Sequence, residues 1–240
     1  MPENRFFLAE ALIPHKEVTL EDREFHHLAK VMRKRAGETV EVVNGKGLLA
    51  HARIESIKKE NARLLILSVE KKERKGPEIL LAQAMPKASK LDWILEKGTE
   101  LGANRFLLFP GDGSEKTIVS KTQTERFHGI MISSIKQCGR LDLPKLEIYS
   151  DLQSLLIPED SIKLYGDVTE DAKTLEEVKM HLEKKSLVTL FIGPEKGWSK
   201  KEREILAQKK CLPFKISLHT LRAETAAIAG LALLANLYLR

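Results

Sequence analysis

Cysteine is scarce in this 240-residue chain: there are two, Cys138 and Cys211, and no C-x-x-C pair. That excludes a disulfide scaffold and a zinc ribbon. Long apolar runs are missing as well. The longest uncharged stretch, residues 225–239, has 15 residues, short of the roughly 20 that cross a bilayer as a helix. The opening MPENRFFLAEALIPH carries charges where a signal peptide has its apolar segment. Neither G-x-G-x-x-G nor G-x-x-x-x-G-K-[ST] occurs, which removes the usual dinucleotide and P-loop readings. G-x-S-x-G and H-E-x-x-H are also absent, and with them the common hydrolase and metalloprotease signatures. The seven histidines are scattered, His26-His27 being the only adjacent pair, so no metal site is expected. There is no internal repeat or low-complexity tract, and 42% hydrophobic residues is too many for a disordered chain. A soluble, cytoplasmic, globular protein of one or two domains is expected, with no membrane and no metal.

What is present starts with charge. The net charge is +6, and it is uneven. Residues 1–75 hold 16 Lys/Arg against 12 Asp/Glu, while the remaining 165 residues hold 24 against 22. The shorter N-terminal part therefore carries most of the excess, which fits a polyanionic partner such as RNA.

The chain changes rhythm near residue 72. Before it, residues 39–43 alternate, NGKG turns, and residues 48–57 and 63–69 follow as strands. Residues 20–35 read as a helix with Phe25, Leu28 and Met32 on one stripe. The charged run VEKKERKGPE, residues 69–78, ending in Gly-Pro, reads as a linker. Beyond it strands alternate with helices. Strands are expected at 79–85, 105–110, 145–149, 162–168, 187–193 and 214–218, and helices at 87–101, 123–138, 152–156, 175–184, 199–209 and 224–239. Ser199 and Glu202, three apart, form a capping box at the start of one of them. Such alternation predicts an α/β domain with a parallel sheet covered on both faces. The expected division is 1–72, a small β-barrel, and 73–240, the α/β domain.

Ligands of parallel sheets sit at the carboxyl ends of the strands. Three strand ends carry candidate residues: YGDV at 165–168, FIGPEKGWS at 191–199 and SLHTLRAETA at 217–226. In the second, Pro194 stops ladder pairing, Gly197 permits a tight turn, and a capped helix follows, so the backbone can approach a ligand. The same residues also make an ordinary strand–turn–helix connection. In the third, Arg222 and Glu224 stand at the mouth of a helix that is almost all Ala, Leu and Ile. Burying them there costs desolvation unless they pair or meet a ligand; a helix cap is the other reading.

Six blocks, in order along nearly the whole chain, resemble the RsmE family of 16S ribosomal RNA uridine-N3 methyltransferases in the SPOUT superfamily. They are Arg5-Phe6-Phe7, HHLAKVMRKRAGE from His26, QAMPKASKLDWILEKGTELGA from Gln83, IKQCGRLDLPKLE from Ile135, GPEKGWSKKE from Gly193 and LRAETAAIAG from Leu221. The resemblance implies a PUA-like N-terminal barrel, a C-terminal SPOUT-type parallel sheet with a trefoil knot, S-adenosylmethionine as cofactor, 16S ribosomal RNA as partner, and a homodimer. It implies cofactor contacts at Tyr165, Gly166, Gly193, Pro194, Glu195, Gly197, Leu218, Leu221, Thr225 and Ala226. RNA contacts are implied at Arg5, His27, Arg33, Lys34, Arg35, Lys87, Lys90, Gln137 and Arg140. Three positions depart from the family pattern: Lys196 stands where a glycine is usual, and Ser217 and His219 replace Gly and Arg.

Uridine N3 is a weakly acidic imide, so methylating it requires loss of a proton and a cation to steady charge on O2 and O4. Arg222, always charged and able to fork to two acceptors, is the expected cation. Glu224 is the candidate base or orienter. A SPOUT enzyme acting on a tRNA base or a ribose 2′-hydroxyl, and an RNA-binding module without catalysis, are the competing readings.

Overall fold

The computed structural model describes residues 4–73, 76–112, 119–182 and 187–237, and of Met180 only the backbone. The chain divides into two compact units. One comprises Met1–Arg74 together with Ile132–Leu143; the other comprises Lys75–Met131 and Pro144–Arg240.

The first unit is built on β1 (Arg5–Phe7), β2 (Glu17–Leu20), β3 (Thr39–Val43), β4 (Leu48–Ile57) and β5 (Ala62–Lys71). They form one sheet in the order β1-β3-β4-β5-β2. β1 runs parallel to β3 and the other neighbours are antiparallel. NGKG closes the β3–β4 hairpin: the Asn44 side chain accepts from the Lys46 and Leu48 amides at 2.9 and 3.3 Å. Gly45 and Gly47 take φ of 70° and 82°, which a side chain would resist. Register shifts at His51/Ala52 and Ile54/Ser56 mark irregularities in the β4–β5 ladder. Such bulges bend and twist a strand, and the sheet curls around Phe6, Leu28, Val42, Leu64 and Ile66. Ile135 and Leu141 pack beside Val43 and Leu49, in a second buried cluster of the same unit.

The stripe Phe25, Leu28, Met32 does not give one long helix. A short helix α1 (Asp22–His26) passes into a π turn, His27–Val31, and stops. Val31 is 61% exposed and Arg33 takes φ 50°, so the helical stripe is lost two residues after the turn.

The second unit alternates β6 (Glu78–Ala84), α2 (Ala88–Glu100), β7 (Arg105–Phe109), α3 (Lys121–Cys138), β8 (Lys145–Ile148), β9 (Ile162–Gly166), α4 (Leu175–Leu182), β10 (Leu187–Ile192), α5 (Lys200–Gln208), β11 (Leu212–Phe214) and α6 (Ala223–Asn236), although α3 from Ile132 onward belongs to the first unit. The sheet is six-stranded, in the order β11-β9-β10-β6-β7-β8, and every pairing is parallel. β10 is buried along its whole length, as continuous apolar strands of covered parallel sheets are. α2 packs against α6, and α6 also lies on β10 and β6. Gly98 allows the approach: a Cβ there would fall 2.7 Å from the Phe106 ring and 3.3 Å from Leu231.

Two expected elements differ. Residues 152–156 form bends and turns, because Leu152 and Leu155 bury into the core without a helix between them. The last strand is Leu212–Phe214, and residues 215–222 leave the sheet as an irregular segment that crosses to α6.

Candidate active site

Three chain segments meet at the carboxyl end of the second unit's sheet: the end of β9, the loop after β10, and the segment joining β11 to α6. Each is shaped by its sequence. After β10, Pro194 ends the ladder, and the Gly197 amide donates to the Pro194 carbonyl at 2.9 Å to close a turn. The positive φ of this turn, 79°, falls on Gly197. Lys196 is not among the positive-φ residues, so the lysine in place of glycine costs no backbone strain here. Trp198 then folds back over Gly193, where a Cβ would sit 2.9 Å from its ring. The Trp198 indole N–H donates to the Gly166 carbonyl at 3.0 Å, and its ring meets Tyr165 edge to face at 6.2 Å. The turn is thereby tied to the end of β9.

The loop's far side is held by the capping box of α5: Ser199 Oγ accepts from the Glu202 amide, and Glu202 accepts from the Ser199 amide. Glu202 also accepts from the Asp112 amide at 2.9 Å, and Ser199 Oγ donates to Asp112 at 2.6 Å. A loop fixed at both ends presents its backbone without paying to order itself when a ligand arrives.

The resulting cleft is open to solvent and encloses about 190 Å³ of space. Its apolar walls are Ile192, Trp198, Ile216, Leu221 and Ala226. Of the residues expected at a cofactor, Gly166, Gly193, Pro194, Glu195, Gly197, Leu221 and Ala226 line it. Tyr165 stands behind it against Trp198. Leu218 is 87% exposed and does not line it, nor does the exposed Thr225. Arg222 occupies the N-cap position of α6, exposed, between the lining residues Leu221 and Ala223.

Asp167 and Arg203 also line the cleft, and neither was singled out from the sequence. Asp167 follows β9 directly and its side chain is 5% exposed. Both its oxygens accept from the Arg203 guanidinium, Oδ1 at 3.3 Å, and Oδ1 accepts from the Val168 amide at 2.9 Å. Burial pushes the carboxyl upward, but the hydrogen bonds from Arg203 and the amides outweigh it and hold Asp167 below the usual carboxylate range. YGDV did mark the strand end; what no local pattern marks is a partner 36 residues away.

Glu224 has a different setting. It is buried in the first turn of α6, and Lys90 of α2 donates to it at 2.5 Å. That bond is the main reason its carboxyl lies below the usual range, against the opposing effect of burial. Glu224 does not line the cleft. Lys87 is exposed at the N-cap of α2.

In the first unit, Arg5 is buried and paired with Glu41, Nη2 to Oε2 at 2.7 Å. His27 is half-buried with its ring 5.8 Å from Phe6. Lys34 pairs with Glu38 at 3.0 Å, and Arg33 and Arg35 are exposed. Gln137, in the last turn of α3, is exposed, and Arg140 just beyond it is half-buried. Among the described residues no group of three His, Cys, Asp or Glu is placed to hold a metal, and no helix is long and apolar enough to cross a membrane.

With this geometry in hand, known proteins give a consistent match. The family described as RNA methyltransferase domain matches residues 72–235, and that described as RNA methyltransferase PUA domain matches residues 20–67. A ribosomal RNA small subunit methyltransferase E of Aquifex aeolicus is 33% identical over 175 residues, 70% of this chain and 73% of that one. The chain belongs to the ribosomal RNA small subunit methyltransferase E family. Its relative in Bacillus subtilis is 28% identical over 219 residues, covering 87% and 86% of the two chains. Among solved structures, the family's Neisseria gonorrhoeae enzyme, bound to S-adenosyl methionine, superposes with a TM-score of 0.87 at 27% identity over 98% of both chains. The curled mixed sheet is thus the PUA unit of the family, and the six-stranded parallel sheet its methyltransferase unit.

Proposed function

We propose that this chain transfers the methyl group of S-adenosylmethionine to N3 of a uridine in the 16S ribosomal RNA of the small subunit. One observation carries the proposal: a preformed cleft at the strand ends, in a chain that aligns over 98% of its length with a relative solved bound to that cofactor.

The cleft suits such a cofactor chemically. Ile192, Ile216, Leu221 and Ala226 offer apolar walls to a flat heterocycle, and the glycine-bearing backbone at 166 and 193–197 comes close enough to pair with its edge. Asp167 and Arg203 supply polar anchors. When bound, S-adenosylmethionine provides an electrophilic methyl on a sulfonium. Arg222, exposed beside the cleft, is the cation for the developing charge on the uracil oxygens. Of the two roles open to Glu224, base and orienter, its ion pair with Lys90 favours the orienter: an ionised carboxylate held below its usual range is a weak base.

RNA is gripped through Arg33 and Arg35, which are exposed, with Lys34, His27, Lys87, Gln137 and Arg140 contributing. Arg5, committed to Glu41, supports the first unit from within. The working form is a homodimer in the cytoplasm; half-buried Ile228, Ala229 and Leu233 give α6 an apolar face for it. For the trefoil knot that the family resemblance implies, we take the stretch from β11 at the sheet edge through 215–222 to α6 as the candidate segment.

The test is methylation of small subunits lacking the modification, with labelled cofactor and mass analysis of the nucleosides. Label in 3-methyluridine supports the proposal. Label in a 2′-O-methyl nucleoside, or in none, overturns it.

A further inference from the structure

Two carboxylates line the cleft, Asp167 and Glu195. Glu195 is exposed on the turn, where water satisfies it. Asp167 is the opposite case: its side chain is 5% exposed, it follows the last residue of β9, and it borders the same space as Ile192, Ile216 and Leu221. A carboxylate in that position has a defined set of unused acceptor sites. Each oxygen offers about two lone pairs, and an ionised carboxylate only accepts. Arg203 binds both oxygens, the Val168 amide takes a second site on Oδ1, and the Thr169 backbone also helps hold the charge. Because Asp167 also borders the cleft, a donor bound there can reach the carboxylate.

Resting on the cofactor reading above, we infer that Asp167, held in place by Arg203, receives the ribose hydroxyls of the cofactor. The adenosine part of that molecule presents two hydroxyl donors next to a flat apolar-faced ring, and the cleft presents one buried acceptor next to apolar walls. Parallel sheets that bind dinucleotides solve the same problem with an acidic side chain on the ribose 2′-hydroxyl. Arg203 has two effects. It fixes the carboxylate's rotamer, and it keeps the group ionised despite burial, as the lowered Asp167 pKa reflects. Arg203 is therefore a positioning residue, and Asp167 the contact.

The alternative ligand for a buried carboxylate here is the cofactor's α-ammonium group, and the two are separable by the ligand's own chemistry. The experiment is calorimetric titration of the full-length protein with S-adenosylhomocysteine, with its 2′-deoxy and 3′-deoxy counterparts, and with 5′-methylthioadenosine, which keeps the ribose and lacks the amino-acid end. A buried donor–acceptor pair with one charged member predicts that the wild type binds at least one deoxy ligand on the order of ten- to a hundred-fold more weakly. In Asp167→Asn that preference collapses to within about threefold, and 5′-methylthioadenosine is weakened as much as S-adenosylhomocysteine. A wild type that binds all the adenosyl ligands equally overturns the inference without any variant, so it is testable even if Asp167→Asn folds poorly. Loss of S-adenosylhomocysteine binding in Asp167→Asn with 5′-methylthioadenosine unaffected also overturns it, assigning the carboxylate to the amino-acid end. Failure of the wild type to bind S-adenosylhomocysteine at all is a separate result: it removes the cofactor reading itself.

Discussion

The methyltransferase unit contains two buried carboxylates that look alike on electrostatic grounds and differ in what surrounds them. Glu224 and Asp167 are each less than a tenth exposed at the side chain, each paired with one basic residue, and each held below the usual carboxylate range. Glu224 sits where α2 and α6 pack and does not line the cleft; Asp167 borders it. A perturbed carboxylate is therefore a pointer to function only when some of its acceptor capacity faces an open space. Where the carboxylate is held between packed helices, as Glu224 is by Lys90, it can orient its neighbours without touching the ligand. In the sequence the emphasis is reversed: Glu224 in LRAETA is a named candidate, while Asp167 enters only as part of the strand end YGDV.

The widest gap should come from a third buried group that has no paired charge. Cys211 is buried and its thiol is pushed up to about 12, chiefly by burial, whereas Cys138 is exposed. A thiol reagent at pH 8 should modify Cys138 readily and Cys211 roughly a thousandfold more slowly, at the rate of local opening. Equal rates would mean that burial in this unit is not tight, and the contrast between the two carboxylates would lose its basis. Next in size is Lys90→Met, which leaves the Glu224 carboxylate buried without its partner. Because Lys90 itself is more than a third exposed, the cost should be about 1–3 kcal/mol, less than for a fully buried pair, read as a lower urea midpoint with unchanged slope. S-adenosylhomocysteine affinity should change little. A large loss of affinity at unchanged stability would move Glu224 into the binding site and break the comparison. Arg203→Met should cost a similar amount, about 1–3 kcal/mol, since Arg203 is 41% exposed and Asp167 is left buried, but it should also lower affinity for S-adenosylhomocysteine roughly three- to tenfold as Asp167 loses its fixed orientation.

Acid gives the smallest and most diagnostic effect. Both carboxylates have folded-state pKa values below their unfolded ones. Their contribution is thus fully present above the ordinary carboxylate range and is lost as pH falls through the folded-state values. Lys90→Met removes the largest cause of the Glu224 shift. Its stability should accordingly fall less steeply than the wild type's on acidification below about pH 5, by on the order of 1 kcal/mol. Parallel pH profiles would show that Lys90 does not hold Glu224 ionised.

Legibility in the sequence follows the range of the interactions. β3 and β4 match their expected bounds because alternation and the NGKG turn are local signals. α5 matches for the same reason, since Ser199 and Glu202 are three residues apart. β1 and β2 were not read: each has three or four residues, too few for a period, and each exists by pairing with a strand far along the chain, β1 with β3 and β2 with β5. Leu152 and Leu155 imitate a helical stripe, yet any two buried residues three apart do so when a bend brings them inward. Ile216 lies inside the stretch 214–218 that reads as a strand, but the chain leaves the sheet at Phe214 and Ile216 lines the cleft instead. At the site, the loops are local and were visible in the glycine and proline spacing, whereas the Asp167–Arg203 pair and the Trp198 bond to Gly166 join positions more than thirty residues apart.

The PUA unit is not contiguous in the chain, and this affects its biosynthesis. Its last strand ends at Lys71, yet Ile135 and Leu141, which pack beside Val43 and Leu49, lie in the segment Ile132–Leu143. On the ribosome, that segment emerges about seventy residues later, after more than a third of the other unit has been made. At roughly 5–20 residues per second the nascent sheet waits several seconds with part of its apolar surface bare, a window in which a chaperone or a misfolded partner has access to a face that the finished protein conceals.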